Sequence, residues 1–495
     1  MNALTLHLPA LQVIVPMLMA PFVVLLRARS LPWAAATATS LLTFSIALQL
    51  TMIVMDGNPV SYEMGSWVAP YGIELQVDAF SALVLLIVTG ASSVALIGGR
   101  ESLASIISTD REPFFFAAWL LALAGMAGIV VAADAFNIFV FMEISSLASY
   151  VLIAAGPDRR ALPATFKYLI LGTIGATFYL IGVGLIYMMT GTLNLGDMEL
   201  RIHEVADQKP ILAAAGFITV GLALKAAIFP LHVWLPNAYT YAPHIVTTFL
   251  AACATKVSLY VLLRFDFFVF QQNLAGHEFQ FAAYLMPLAV LGILVGSVVA
   301  MFESNIKRML AFSSVAQIGY MMLGASFVSA TGLTAATLHM FNHALAKGGL
   351  FLATAAIAVI AAGCRLSDIA GLARRMPWTF AALVVSGLSL IGVPGTAGFI
   401  SKWYLINAAL ELETGGIALV ALILVSSLMA VVYIWRIVET ACFGESVETE
   451  VKRVPTALVI ALWAVAIANV GFGIAPDLPL SLSAAAADIL LGHVR

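Results

Sequence analysis

Charge is what this sequence has least of. Asp, Glu, Lys and Arg together supply 10% of its 495 residues, while 62% are hydrophobic. A soluble domain cannot carry that ratio, because its surface would be one continuous apolar patch. Cysteine is also scarce. Cys253, Cys364 and Cys442 lie far apart and form no CxxC, which argues against a zinc, cluster or redox-thiol role and for buried apolar thiols. The net charge of −3 suggests no nucleic-acid partner. No nucleophile–base set and no phosphate loop is present, so an independent enzyme is not expected, and neither is a cofactor or a metal. The first stretch, "MNALTLHLPALQVIVPML", lacks a basic leader and a clear small-residue cleavage site, and reads as a first helix.

What the chain does have is apolar runs of about 20 residues, each long enough to cross roughly 30 Å of hydrocarbon. They are too long for barrel strands, and a lipid-embedded backbone must satisfy its own hydrogen bonds. The expected fold is an all-α polytopic membrane protein. Fourteen spans are predicted near 8–26, 32–55, 78–98, 114–133, 135–155, 164–190, 211–240, 244–265, 282–302, 305–328, 332–362, 378–410, 416–438 and 454–475. The seventh contains Pro230 and the twelfth Pro394.

The 23 Lys and Arg residues orient these spans. Fourteen fall on one side: Arg27, Arg29, Arg100, Arg111, Arg159, Arg160, Lys307, Arg308, Arg365, Arg374, Arg375, Arg436, Lys452 and Arg453. Four fall on the other: Arg201, Lys209, Arg264 and Arg495. The first side is therefore read as cytoplasmic, with both termini outside. The remaining five, Lys167, Lys225, Lys256, Lys347 and Lys402, lie within predicted spans.

"NIFVFMEISSLASYVLI" from Asn137 and "NIKRMLAFSSVAQIGYM" from Asn305 share five of 17 positions at an offset of 168. That offset also pairs the fourth span with the ninth, the eighth with the thirteenth and, within a few residues, the two proline-broken spans. Helices 4–8 and 9–13 thus read as two five-helix copies. Five is odd, so the second copy enters the membrane inverted. Inverted repeats with interrupted helices are a transporter architecture, with ion sites near the breaks. The chain divides on this reading into an N-terminal three-helix segment (1–110), a first repeat (111–275), a second repeat (276–442) and a C-terminal helix and tail (443–495).

A charge at the bilayer centre costs roughly 2.5–3.5 kcal/mol on insertion scales, and persists only with partners, water or a task. Glu143 is the one acid read as mid-span; its expected partner is Lys225, also mid-span and five residues before Pro230. The proline ring removes one N–H and crowds the carbonyl four residues earlier, so freed carbonyls can face water or an ion. A static buried ion pair is a poor stabiliser, which favours a functional reading of the two. In "LHMFNHALAKGGLFL", His339, His343 and Lys347 are spaced i, i+4, i+8, on one helix face about 6 Å apart per step. Two imidazoles and an amine in a row suit a proton relay. Lys256 is placed to connect the two repeats, and Lys402, after the break at Pro394, to begin or end the path. Lys167, near a helix start, has snorkelling as its plainer explanation. His232 and His244 flank the bend "FPLHVWLPNAYTYAPH", where bonding to freed carbonyls is the plainer one.

Several stretches carry a resemblance: "QVDAFSALVLLI", "FVFMEISSLASYVLI", "LKAAIFPLHVWLPNAY", "TKVSLYVLLR", "NIKRMLAFSSVAQIGYMM", "FNHALAKGGLFL" and "GVPGTAGFISKWYL". The chain resembles the antiporter-like subunits shared by Mrp-type sodium/proton antiporters, respiratory complex I and membrane-bound hydrogenases. Within that group it is most similar to the D-type component of the Mrp antiporter. The resemblance implies fourteen helices with inverted repeats, an essential Glu143–Lys225 pair, a central Lys256, and a histidine/lysine line continuing to Lys402. It also implies work inside a multi-subunit complex (Mrp partners A to G) in a bacterial cell membrane, moving protons and sodium. Two other readings stand beside it: the same scaffold in a redox-driven pump, and a structural or assembly subunit with inert charges.

Overall fold

A computed structural model describes residues 3–26, 30–104, 106–271, 281–361, 363–445 and 453–493. Of the cations counted for orientation, Arg27, Arg29, Lys452 and Arg495 lie outside the described residues. Thirteen described helices are long and apolar enough to cross a membrane. They are α1 (Leu8–Leu25), α2 (Leu31–Met55), α3 (Ala79–Ala104), α4 (Glu112–Val131), α5 (Ala135–Ala154), α6 (Ala161–Thr190), α7a (Lys209–Ala226), α8 (His244–Leu263), α9 (Phe281–Phe302), α10 (Ile306–Ser326), α11 (Ala330–Ile360), α13 (Gly416–Phe443) and α14 (Thr456–Ile474). The twelfth crossing is a broken pair, α12a (Pro377–Ile391) and α12b (Ala397–Leu410), which completes the expected fourteen. The seventh crossing continues past its break as α7b (Leu235–Tyr241), and α8 runs on into a π-helical stretch, Arg264–Gln271.

Proline chemistry sets both breaks. The ring of Pro230 needs the space of the carbonyl of residue 226, and α7a ends at Ala226. Ala227 then turns the chain in the left-handed region, at φ 57°. At the second break α12a ends at Ile391, and Gly392 (φ 89°) makes the same turn two residues before Pro394. Each proline therefore stops its helix three to four residues upstream. The carbonyls so freed are partly reclaimed: the Trp234 indole N–H donates to the Leu224 oxygen at 2.9 Å.

The inverted copies share a hydrogen-bonded signature. Asp134 caps α5 by accepting from the Asn137 amide at 2.8 Å, and Asn305 caps α10 by accepting from the Arg308 amide at 3.1 Å. Each cap residue also pairs with the segment after the following helix, through the bridges Asp134–Asn194 and Asn305–Arg365. Flanking bonds repeat as well: Ala135 N–H to Leu193 and Leu195 N–H to Ala133, against Ile306 N–H to Cys364 and Leu366 N–H to Ser304. Five crossings separate the two clasps, so they lie at opposite membrane faces. Their register is 171 residues (Asp134 against Asn305, Asn194 against Arg365), three more than the sequence match. Ala/Leu-rich helices slide past one another by most of a turn in a sequence comparison; a cap is fixed to the helix start.

Elements outside the expected spans include a short helix, Leu195–Val205, between the sixth and seventh crossings. A hairpin of β1 (Val60–Glu63) and β2 (Glu74–Val77) links α2 to α3, with Val60, Leu75 and Val77 buried. A final helix, Asp477–Leu490, turns Leu482, Ser483, Ala486, Ala487 and Leu490 inward at helical spacing.

Three charged residues stand differently from the expectation. Lys307, placed among surface cations, is 3% exposed and donates to the Ala242 oxygen at the end of α7b at 2.6 Å. It finds there the carbonyl end of a helix, which favours a cation. Arg264, counted on the outer side at the end of the eighth predicted span, is buried because the helix runs on past that end as the π-helical stretch; its guanidinium lies 2.5 Å from both carboxylate oxygens of Asp78. For the same reason Glu143 is not alone: Asp266 is 1% exposed within the extension, where it accepts from the Thr219 hydroxyl at 3.1 Å.

Candidate proton-transfer site

The site starts where two helices touch backbone to backbone. Gly175 of α6 and Gly221 of α7a face each other so closely that a Cβ on either would fall within 2.8 Å of the other's carbonyl oxygen. Small residues permit such close packing between membrane helices. The crossing fixes the last turn of α7a, from which Lys225 projects towards α5. Its ammonium lies 3.4 Å from a Glu143 carboxylate oxygen and donates to the Ser146 hydroxyl at 2.7 Å. The lysine side chain is 4% exposed and the glutamate 29%. Beside them is a cavity of about 20 Å³ bordered by Ser145, Ser146, Ser149, Tyr168 and Ser258. That is room for a single water, and the wall supplies the polar partners such a water requires. Tyr168 is held there by face-to-face stacking on Trp234, with centroids 4.0 Å apart.

Lys256 belongs to a second group. Its ammonium donates to the Ala251 carbonyl of its own helix at 2.5 Å. Its electrostatic neighbours are His339, His343 and Lys347 of α11. The face of α8 that meets the Lys225 cavity is instead built from Ala254, Val257, Ser258 and Val261. Among the described residues no side-chain hydrogen bond joins Lys225 to Lys256. A first-repeat lysine thus sits with the second repeat's basic row.

In that row the His339 and His343 rings are nearly parallel, with centroids 6.2 Å apart. His339 is pinned from both sides, Nδ1 to Ser401 Oγ and Nε2 to Gln317 Oε1, each at 2.9 Å. The glutamine oxygen only accepts, so Nε2 carries a proton; the Ser401 hydroxyl, which also reaches the Gly398 oxygen at 3.2 Å, meets Nδ1 as donor or acceptor according to the protonation of the ring. His343 is 1% exposed, and among the described residues neither ring nitrogen has a hydrogen-bond partner. Lys347 is wholly buried and donates to the Leu310 oxygen at 2.6 Å and to the Ser313 hydroxyl. Lys402 closes the row. Its ammonium bonds the Ile391 oxygen at 2.8 Å and the Ser427 hydroxyl at 2.9 Å.

The remaining candidates stand apart. Lys167 is exposed on α6. His232 lies in the first break, stacked on Phe229 with ring centroids 5.3 Å apart. Pro230 and Pro394 shape the breaks but carry no polar side chain. Gln317, Ser401, Ser313 and Ser427 do not stand out from sequence; hydroxyls and amides are common in membrane helices, and no spacing marks these four. Among the described residues no three His, Cys, Asp or Glu side chains gather as metal ligands would.

Residues 132–430 match the family described as "NADH:quinone oxidoreductase/Mrp antiporter, TM". The N-type component of the NADH-quinone oxidoreductase of Desulforudis audaxviator is 42% identical over 444 residues, covering 88% of this chain and 87% of that protein. The D-type component of the Na(+)/H(+) antiporter of Alkalihalophilus pseudofirmus is 30% identical over 407 residues, covering 82% and 80%. A chain in the solved Mrp complex from Dietzia sp. DQ12-45-1b superposes with a TM-score of 0.90 at 26% identity, over 99% of this chain and 98% of that one.

Proposed function

From the premise that this chain belongs to the NADH:quinone oxidoreductase/Mrp antiporter membrane family, we propose that it is the proton-translocating component, of the Mrp D type, in a multi-subunit sodium/proton antiporter. It works in a bacterial cell membrane, with both termini outside, beside other membrane proteins of the Mrp A–G kind. Protons are its cargo, and sodium is the exchanged ion of the complex.

The observation that carries this reading is the Glu143–Lys225 contact of 3.4 Å, mid-span, next to a water-sized polar cavity. At an effective dielectric of about 20, two unit charges at that distance attract by roughly 5 kcal/mol. Holding the carboxylate close keeps the proton on Lys225; moving it away leaves desolvation unopposed and the proton departs. The released proton passes towards Lys256, then along Lys347, His343 and His339 to Lys402 and out. His343, buried between His339 and Lys347 on the same helix face and stacked on the His339 ring, is the middle group of the relay. The drive is a change of charge state, or a sodium ion, in a neighbouring protein of the complex. The repeats supply the two halves of the path, and Lys256 joins them.

One observation favours a second reading: the 42% identity to the N-type component of an NADH-quinone oxidoreductase. There the same residues would move protons while other proteins of the complex supply redox energy. Purifying the complex through a tag on this chain separates the two. Sodium-dependent proton exchange in vesicles, with no response to an electron donor, supports the antiporter; donor-driven proton uptake supports the redox pump. In either setting Glu143→Gln should abolish proton transfer while leaving assembly intact. Full transfer in that variant would refute the switch.

A further inference from the structure

A cavity of about 440 Å³ lies where α2 and α4 begin and α3 ends. These three helices cross in alternating directions, so the three ends share one membrane face. The cavity therefore sits at headgroup depth. Its wall carries charges of both signs. Arg100, near the end of α3, holds its guanidinium 4.6 Å above the Trp33 ring. The indole is fixed in turn, because its N–H donates to the Leu96 oxygen at 2.8 Å. Glu112 opens α4 and is only 9% exposed. Arg100 and Glu112 both line the cavity, yet among the described residues they form no ion pair with each other, and neither side chain has a hydrogen-bond partner. Buried carboxylates are ordinarily paired or hydrogen-bonded. The positive end of α4 favours an acid at its first position, but that interaction requires neither burial nor an arginine on the same cavity.

We propose that this cavity binds the headgroup of an ethanolamine phospholipid, with the phosphate on Arg100 and the ammonium on Glu112. The site shares no residue with the proton-transfer groups and stands independently of their role. A guanidinium stacked on an aromatic face keeps its N–H edge for phosphate oxygens, which it can bind bidentately. A carboxylate only accepts, so it selects a headgroup with N–H donors. A primary ammonium has three; the quaternary nitrogen of choline has none. Glu101 also lines the cavity, so two acids face one arginine, and a headgroup of net negative charge is disfavoured. Leu103, Phe115 and Phe116 supply an apolar wall for the glycerol end and the first methylenes. Trp33 is of the residue type that settles at a membrane–water interface. Water alone would solvate both charges, but it would not distinguish one headgroup from another.

The test uses the intact complex, purified through a tag on this chain. Ala104→p-benzoylphenylalanine places a photoprobe at an exposed position of the cavity wall. The complex is reconstituted in vesicles of dioleoyl phosphatidylethanolamine and dioleoyl phosphatidylcholine in equal amounts and irradiated. Mass spectrometry then identifies the lipid adducts on this chain. The ethanolamine lipid is expected to be captured severalfold more than the choline lipid. Glu112→Gln removes the charge and keeps the shape, and should bring the two lipids to parity. Arg100→Gln should lower the capture of both, since both carry the phosphate. Equal capture in the parent complex would mean that the cavity holds only water or a free ion beside unselected lipid, and would overturn the proposal. An ethanolamine preference that survives both substitutions would overturn it too. Should Glu112→Gln reduce complex yield, the parent complex decides in vesicles where dioleoyl phosphatidylglycerol replaces the choline lipid. The ethanolamine lipid must again dominate severalfold; parity or an excess of the glycerol lipid sinks the assignment.

Discussion

Lys402 reaches back across the break in the twelfth crossing to hold the end it left behind: its ammonium lies 2.8 Å from the Ile391 oxygen and 3.3 Å from that of Leu390. The last carbonyls of α12a are the negative end of a half-helix, and a cation there is favoured by hydrogen bonding and dipole alike. One side chain is thus both a helix cap and the last group of the basic row.

These roles separate by substitution. Lys402→Arg keeps a cation for the carbonyls, but a guanidinium does not give up its proton in a protein. The arginine variant should assemble and melt like the parent complex while proton flux in liposomes falls at least tenfold. Lys402→Met should lose flux and also stability, by about 1–3 kcal/mol, because buried carbonyls are left unpaired. Normal flux in the arginine variant would show that Lys402 only caps.

Ser146 gives a finer probe of the first pair. It accepts from Lys225 at 2.7 Å, closer than Glu143 at 3.4 Å, and so holds the ammonium when the carboxylate withdraws. Ser146→Ala should leave Lys225 with one partner instead of two. Flux is expected to drop severalfold, with assembly unchanged, and Ser146→Thr should restore it. An alanine variant at parental flux would show that the serine is a bystander.

How much of this could be read from sequence follows from where a charge is anomalous. Lys225 and Glu143 stand out because each interrupts a long apolar run, and a buried cation needs an anion. His339, His343 and Lys347 stand out because one helix face collects all three. Lys307, Arg264 and Asp266 give no such signal. They fall at the edges of apolar runs, where a charge is ordinarily a loop residue, and their partners Ala242, Asp78 and Thr219 lie between 47 and 186 residues away. Only the extension of α8 and the packing of α10 on α7b bury them. The breaks are legible as prolines, but the turns themselves belong to Ala227 and Gly392, because a proline disturbs the carbonyl upstream of it rather than its own position.

The Arg264–Asp78 pair invites a different expectation from Glu143–Lys225. Arg264 is fixed by Asp78, Ser81 at 3.2 Å and Tyr260 at 3.2 Å, and Tyr260 donates onward to the Val130 oxygen at 2.8 Å. Every hydrogen-bond partner is buried, and together they tie the end of α8 to α3 and α4, so the pair is expected to hold rather than switch. Removing one partner from a buried pair costs about 3–5 kcal/mol, because the other charge is left uncompensated. Asp78→Asn should therefore lower the melting temperature and yield of the complex, while the complexes that do assemble keep parental flux per molecule. Loss of flux at normal yield would place this pair in the path.

The glycine crossing tests whether geometry alone sets the switch. A Cβ at residue 221 would stand 2.5 Å from the Gly175 oxygen and 2.8 Å from the Tyr179 amide nitrogen. Both are backbone atoms, which no side-chain rotation can move aside, so Gly221→Ala must push α6 and α7a apart. Overpacking of this kind costs about 1–3 kcal/mol. Lys225 is one turn further along the same helix, and its contact with Glu143 already stands at 3.4 Å. A small displacement lengthens that contact beyond hydrogen-bonding range and weakens the charge attraction that holds the proton. Gly221→Ala should thus impair flux as severely as Glu143→Gln, although residue 221 carries no ionisable group. Gly184→Ala, on the same α6 at a position where a Cβ meets nothing within 4 Å, should leave both flux and stability unchanged. If the two alanine variants behave alike, the crossing does not position Lys225, and the distance between the charges is set elsewhere.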